Sequence, residues 1–160
     1  MTAKNLIAFY SWSGNTEALA TAISHLTDSD VYEIKVPADT FSDDMYATSD
    51  IAKQQLANNQ LPSLSGQVPD VSQYEHVFVG GPTWSGAPST PVLRFLNAIK
   101  DSPVTLIPFY THAGTAGGYE QAFAKAAAQS HVLKGFGTSG YGVGHAESQV
   151  KAWLNQIGID

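Results

Sequence analysis

Short apolar runs alternate with segments of helical period along the whole of this 160-residue chain. The runs fall at 6–10, 31–36, 76–80, 105–110 and 132–136. Most are nearly continuous, as strands buried on both faces are. The second, where Glu33 and Lys35 point one way, alternates like an edge strand. Between the runs, Leu19, Ala22, Ile23 and Leu26 recur at helical spacing, as do Val92, Phe95, Leu96 and Ile99, and Val150, Trp153, Leu154 and Ile157. Two more helices are expected, over 119–129 around Phe123, and within 43–58 with Ile51, Ala52, Gln55 and Leu56 on one side. Strands alternating with helices predict an α/β fold: a doubly wound parallel sheet with helices on both faces. The 58–73 stretch, with Pro62, Gly66 and Pro69, carries neither period and reads as surface packing rather than a site. A single domain over 1–160 is expected.

Charge and composition remove several function classes. The net charge is −6 and Arg94 is the sole arginine, so no basic face is available for nucleic acid. There is no cysteine, which excludes disulfides, thiolate metal sites and a cysteine nucleophile. That composition fits a reducing compartment, and a cytoplasmic protein is expected. No apolar run approaches the ~20 residues of a membrane span, and no signal peptide is evident at the N-terminus. The five histidines are scattered, and Asp39, Asp43, Asp44 and Asp50 do not match a calcium loop, so no metal site is expected.

In an open parallel sheet, ligands bind beyond the C-terminal strand ends where the winding reverses. Three strand ends here are unusual. The first strand runs into Ser11, Trp12, Ser13, Gly14, Asn15 and Thr16, with a helix pattern starting at once. A helix N-cap by Ser13 or Asn15 accounts for one such side chain, not four. Unpaired N–H groups beside the positive helix end, with hydroxyls around them, suit a phosphate. The nucleotide-binding GxxxxGK[ST] and GxGxxG patterns are both absent. After the third strand comes Gly80-Gly-Pro-Thr-Trp-Ser-Gly-Ala-Pro88, presenting Pro82, Thr83, Trp84, Ser85 and Gly86. Trp84 is a packing residue, an interface anchor or a platform for a planar ring. After the fourth strand, the 111–119 loop contains Thr111, His112, Ala113, Gly114, Gly117, Gly118 and Tyr119. Its small residues leave N–H groups open to a heterocycle edge. Tyr119 either stacks on a ligand or starts the next helix against the core. His112 reads as a loop histidine satisfied by backbone rather than a base.

The three loops in this order resemble a flavodoxin over the whole chain. Phe9-Tyr-Ser-Trp-Ser-Gly-Asn-Thr16 is similar to the family's FMN phosphate signature, Gly80-Gly-Pro-Thr-Trp84 to its ring-stacking loop, and residues 111–118 to its second flavin loop. Pro37-Ala-Asp-Thr-Phe, Ala52-Lys-Gln-Gln-Leu and Leu61-Pro look more like the flavodoxin-like oxidoreductase branch than the small carriers. The resemblance implies a three-layer α/β/α sandwich with a five-stranded parallel sheet in the order 2-1-3-4-5. It implies FMN as cofactor. Its phosphate would lie on Ser11, Ser13, Asn15 and Thr16, Trp84 would cover the ring, 111–119 would hold the pyrimidine edge, and the Gly86 peptide would meet N5. Two departures stand out: the stacking loop is longer and richer in Pro and Gly than in many carriers, and the acidic run common around their flavin is missing. With no Lys or Arg in these loops, a low potential for the fully reduced couple is implied. The expected role is electron transfer between a reductase and an acceptor protein. The alternatives are an NAD(P)H-dependent FMN oxidoreductase with a small quinone-type acceptor, and a non-redox FMN-binding module.

Overall fold

The computed structural model describes residues 4–102, 104–114, 117–127, 130–140 and 142–159. Thr115 and Ala116 of the third loop, and Gln129 at the expected end of its helix, lie outside the described residues. The sequence period sets the layering. In β1 (Asn5–Phe9), Leu6 and Ala8 face one cluster of core residues while Ile7 and Phe9 face another. The two clusters lie on opposite sides of the sheet because successive strand side chains alternate. Each large aliphatic residue so buried contributes roughly 1.5–3 kcal/mol.

The remaining elements follow in order: α1 (Asn15–Leu26), β2 (Ser29–Glu33), α2 (Met45–Ala57), β3 (His76–Trp84), β4 (Ala87–Pro88), α3 (Thr90–Ala98), β5 (Thr105–His112), α4 (Tyr119–Ala126), β6 (His131–Val132), β7 (Phe136–Ser139) and α5 (Glu147–Gln156). Residues from α1 and α5 fill one face and residues from α3 and α4 the other. The sheet order is β2-β1-β3-β5-β6, with β7 also beside β5. Among the described residues β2 pairs only with β1, which matches its alternating pattern, and its Val31 is 52% exposed. The chain leaves β1 for β2 on one side and returns to β3 on the other. The winding reverses there, and the ends of β1 and β3 frame the crevice.

Two expectations about the sheet are corrected. It is not wholly parallel: β4 pairs antiparallel with β3 through Trp84↔Ala87 and Thr83↔Pro88. Ser85 and Gly86 make the turn, both with positive φ (55° and 76°), as a two-residue type I′ hairpin requires. The fifth strand is also not one run over 132–136 but two pieces. Leu106 pairs with Val132 and Phe109 with Phe136, so three residues on the edge oppose two on β5: a bulge. The bulge faces Pro108, which has no N–H to offer the ladder. Gly135 fits there because a Cβ would lie 2.6 Å from the Pro108 carbonyl oxygen. Its N–H donates instead to Glu120 Oε1 (2.8 Å), and the Lys134 carbonyl accepts from Trp153 Nε1 (2.9 Å). The 58–73 stretch packs as expected: Leu64, Val68 and Val71 join the core. No helix among the described residues is long and apolar enough to cross a membrane.

Candidate functional site

A cleft of about 470 Å³ opens at the C-terminal ends of β1, β3 and β5. Trp12, Ser13, Asn15, Met45, Pro82, Thr83, Trp84, Thr111, His112, Ala113 and Gly140 line it. Its volume lies in the range of small-molecule and cofactor pockets. No Lys, Arg, Asp or Glu is among its lining residues.

The end near α1 is a polar turn. Tyr10 N–H donates to the Gly80 carbonyl (2.9 Å), which carries β1 past its last paired residue and aims the chain over β3. Gly14 then takes a left-handed φ of 97°, open to glycine without a steric penalty. Ser11, not Ser13 or Asn15, is the capping side chain. Its Oγ accepts from Gly14 N (3.0 Å) and Glu17 N (3.2 Å). The hydroxyl therefore spends its lone pairs on the turn and keeps one O–H to donate. The N–H groups of Asn15 and Thr16 take no partner from the described residues, and they point out of the first turn of α1. The Thr16 side chain is buried, and its Oγ1 lies 2.8 Å from Thr111 Oγ1. That pair ties α1 to β5. The Thr16 N–H remains available at the turn, and its hydroxyl is shared with Thr111.

The other end is aromatic. Trp84 meets Phe41 edge-on (centroids 5.1 Å, 75°) and Tyr10 edge-on (5.9 Å, 85°). Such T-shaped pairs set one ring's positive edge against another's face. They fix the indole from behind while leaving it half-buried at the cleft wall. Trp12 forms another part of the wall, with Nε1–H donating to the Ser42 carbonyl (3.1 Å). Burial pushes the Tyr10 hydroxyl up to about 12, so it stays neutral at physiological pH.

The third loop is held by backbone. Gly114 N–H donates to His112 Nδ1 (3.1 Å), so the neutral ring carries its proton on Nε2. The backbone thus satisfies Nδ1 of His112, a residue at the cleft wall. The His112 carbonyl accepts from Gly140 N–H (3.0 Å). Gly86 and Gly117 touch, a Cβ on Gly117 falling 2.9 Å from Gly86 Cα, so the loops after β3 and β5 close against each other there. Gly118 sits at the start of α4. Tyr119 is fully buried and stacks on Tyr110 (4.2 Å, 19°). Its ring belongs to the core, which corrects the stacking alternative. Burial raises the hydroxyls of both tyrosines, and Glu120 Oε2, accepting from Tyr110 Oη at 2.6 Å, raises that of Tyr110 further.

The cleft therefore gathers Trp12, Ser13, Asn15, Pro82, Thr83, Trp84, Thr111, His112 and Ala113 from the expected set. Ser11, Gly14, Thr16, Gly86, Gly114, Gly117 and Gly118 shape the loops around it, and Ser85 lies in an adjoining cleft. Gly140 and Met45 were missed. The glycine–serine run from Gly135 to Gly142 signalled another loop of this kind. A Cβ at Gly140 would lie 2.6 Å from Asn15 Nδ2, so glycine there leaves room for the Asn15 side chain. Met45 carried no signal beyond its place after the helix-capping Asp44.

The donor set fits a phosphate ester with a flat heterocycle. Two N–H groups are unspent at a helix start, an indole is braced at the wall, and no carboxylate lines the cleft. Comparison with known proteins agrees. The flavodoxin family model matches residues 4–157. The crystal structure of a flavoprotein in complex with FMN from Lactobacillus acidophilus NCFM is 35% identical, covering 90% of this chain and 98% of that one, with a TM-score of 0.78. The apo form of the flavoprotein from the same organism, determined by NMR, is 36% identical over 86% of this chain and 93% of that one, with a TM-score of 0.68. A flavodoxin, WrbA-like protein from Agrobacterium tumefaciens shares the fold at 16% identity, covering 96% and 94%, with a TM-score of 0.60. No curated protein matches the chain.

Proposed function

The chain belongs to the flavodoxin family, and from that premise we propose that it holds FMN in this cleft and serves as an electron carrier. The observation that carries the reading is the pairing of an open helix N-terminus with a braced indole across one uncharged cleft. When bound, FMN supplies reversible one- and two-electron chemistry at its ring. The protein's part is binding and environment. The N–H groups of Asn15 and Thr16 and the side chains of Ser13 and Asn15 hold the phosphate, with Ser11 fixing the turn they stand on. Each hydrogen bond to a charged group contributes ~1.5–3 kcal/mol. Trp12 and Trp84 flank the ring and exclude water. The 111–114 segment offers backbone groups to its polar edge. With no Lys or Arg among the described lining residues and a net charge of −6, extra negative charge on the ring is disfavoured.

The carrier reading is preferred over an NAD(P)H-dependent enzyme for a specific reason. A dinucleotide brings at least two phosphates, and no Lys or Arg lines the cleft to meet them. Titrating FMN into the flavin-free protein tests the binding. A saturable quench of flavin fluorescence is expected, and its absence overturns the reading. Stopped-flow mixing of the loaded protein with NADH or NADPH tests the role. Slow bleaching without a reductase is expected, whereas rapid bleaching by the nucleotide alone replaces the carrier with the enzyme.

A further inference from the structure

A second cleft of about 190 Å³ opens beside the first and shares Trp12, Met45, Thr83 and Trp84 with it. Thr48, Ser49 and Ser85 complete it, two of them from α2. Its chemistry is uneven in a way that selects a ligand. Two indoles and a thioether form much of its wall, and such surfaces favour flat, polarisable rings. Two of its donors are already spent: Trp12 Nε1–H and Thr48 Oγ1 both donate to the Ser42 carbonyl, at 3.1 and 2.8 Å. The Thr83 hydroxyl, by contrast, is buried with no partner among the described residues. No Lys, Arg, Asp or Glu lines the cleft, and Asp43, Asp44 and Asp50, adjacent to its α2 residues in the chain, are exposed carboxylates. An anion entering here finds no counter-charge among the lining residues. The volume falls below the ~300 Å³ at which drug-sized pockets begin, so the occupant is smaller than a dinucleotide.

We infer that this side cleft binds a flat, uncharged aromatic molecule of one or two rings against Trp12 and Trp84, next to the coenzyme cleft. The inference rests on the FMN reading for what the ligand lies beside; the cleft itself is formed by protein alone.

The test is a titration of FMN-loaded protein with 2-naphthol, followed through the indole N–H resonances. Trp153, buried on the opposite face of the sheet, is the internal control. Saturable shifts are expected at Trp12 and Trp84 and not at Trp153. Naphthalene-2-sulfonate, the same rings with a negative charge, should bind at least about ten-fold more weakly. Ser49→Phe fills the side cleft from a residue that does not line the main one. It should weaken naphthol by about ten-fold or more and leave FMN affinity within about two-fold. If that variant does not fold, Ser49→Leu carries the same expectation. The inference is overturned if naphthol gives no saturable shift, if the sulfonate binds as well, if filling the cleft changes nothing, or if naphthol displaces FMN instead of binding beside it. Failure of FMN to bind overturns the coenzyme reading alone, and the naphthol titration of the flavin-free protein then decides the side cleft by the same criteria.

Discussion

The turn after β1 and the hairpin after β3 line one cleft from neighbouring strands, yet different forces hold them. The first turn is local and polar. Ser11 caps the helix six residues on, and Gly14 supplies the left-handed step, so the loop is complete within its own sequence. The hairpin is non-local and apolar. Trp84 is set by Tyr10 from β1's end and by Phe41 from the loop before α2, residues far from it in the chain. A capped turn resists change at one residue and fails at its cap, whereas an aromatic cluster shares its stability among all members. Away from the Ser11 cap and the Thr16–Thr111 pair, the polar end can be altered with little effect on the fold. The aromatic wall cannot.

Mutation and pH can break this contrast. The largest effect is expected for Trp84→Ala. Losing a half-buried indole and its two edge contacts should cost about 3 kcal/mol of stability by chemical denaturation without any ligand. A loss under 1 kcal/mol would show that the wall is as dispensable as the turn. Thr111→Val comes next. It leaves the buried Thr16 hydroxyl without a partner, at roughly 1–3 kcal/mol. Thermal unfolding reads this directly, and a neutral result would mean that Thr16 turns toward the cleft instead.

High pH should loosen the aromatic side first. Tyr10 titrates at about 12 when folded, against an ordinary value near 10. The folded state thus holds its proton more tightly. Its contribution is fully present below pH 10 and is lost between pH 10 and about 12. Stability should fall there by up to about 1.4 kcal/mol per pH unit from this group, with Tyr110 and Tyr119 adding to the fall. Tyr10→Phe should flatten the curve measured by denaturant melts.

Ser11→Ala removes the cap and should cost about 1 kcal/mol of stability, together with weaker FMN binding. Ser13→Ala is the smallest change to the fold, within about 0.5 kcal/mol, while FMN affinity should drop by about ten-fold. A Ser13→Ala protein that unfolds easily but binds FMN normally would reverse the assignment of roles at this end.

The edge of the sheet shows where sequence reading stops. A single strand over 132–136 satisfied the apolar pattern, but the extra residue opposite Pro108 depends on what β5 offers to its neighbour. Gly135 is legible as a glycine; that it is needed against the Pro108 carbonyl is not. Tyr119 is similar. Its position after two glycines allowed either a ligand or the core, and only the stack on Tyr110 decided between them.

Local and periodic properties were determined by the chain itself. Strand–helix alternation and the unusual composition of the three loops follow from residue period and turn chemistry, which act over a few neighbours. Tertiary structure decided which hydroxyls remain free, which rings face the cleft and where the edge strand bulges. Those outcomes depend on contacts between residues distant in sequence, such as Thr16 with Thr111 and Phe41 with Trp84. A hydrogen bond or ring contact has two partners, and one-dimensional pattern identifies only one of them.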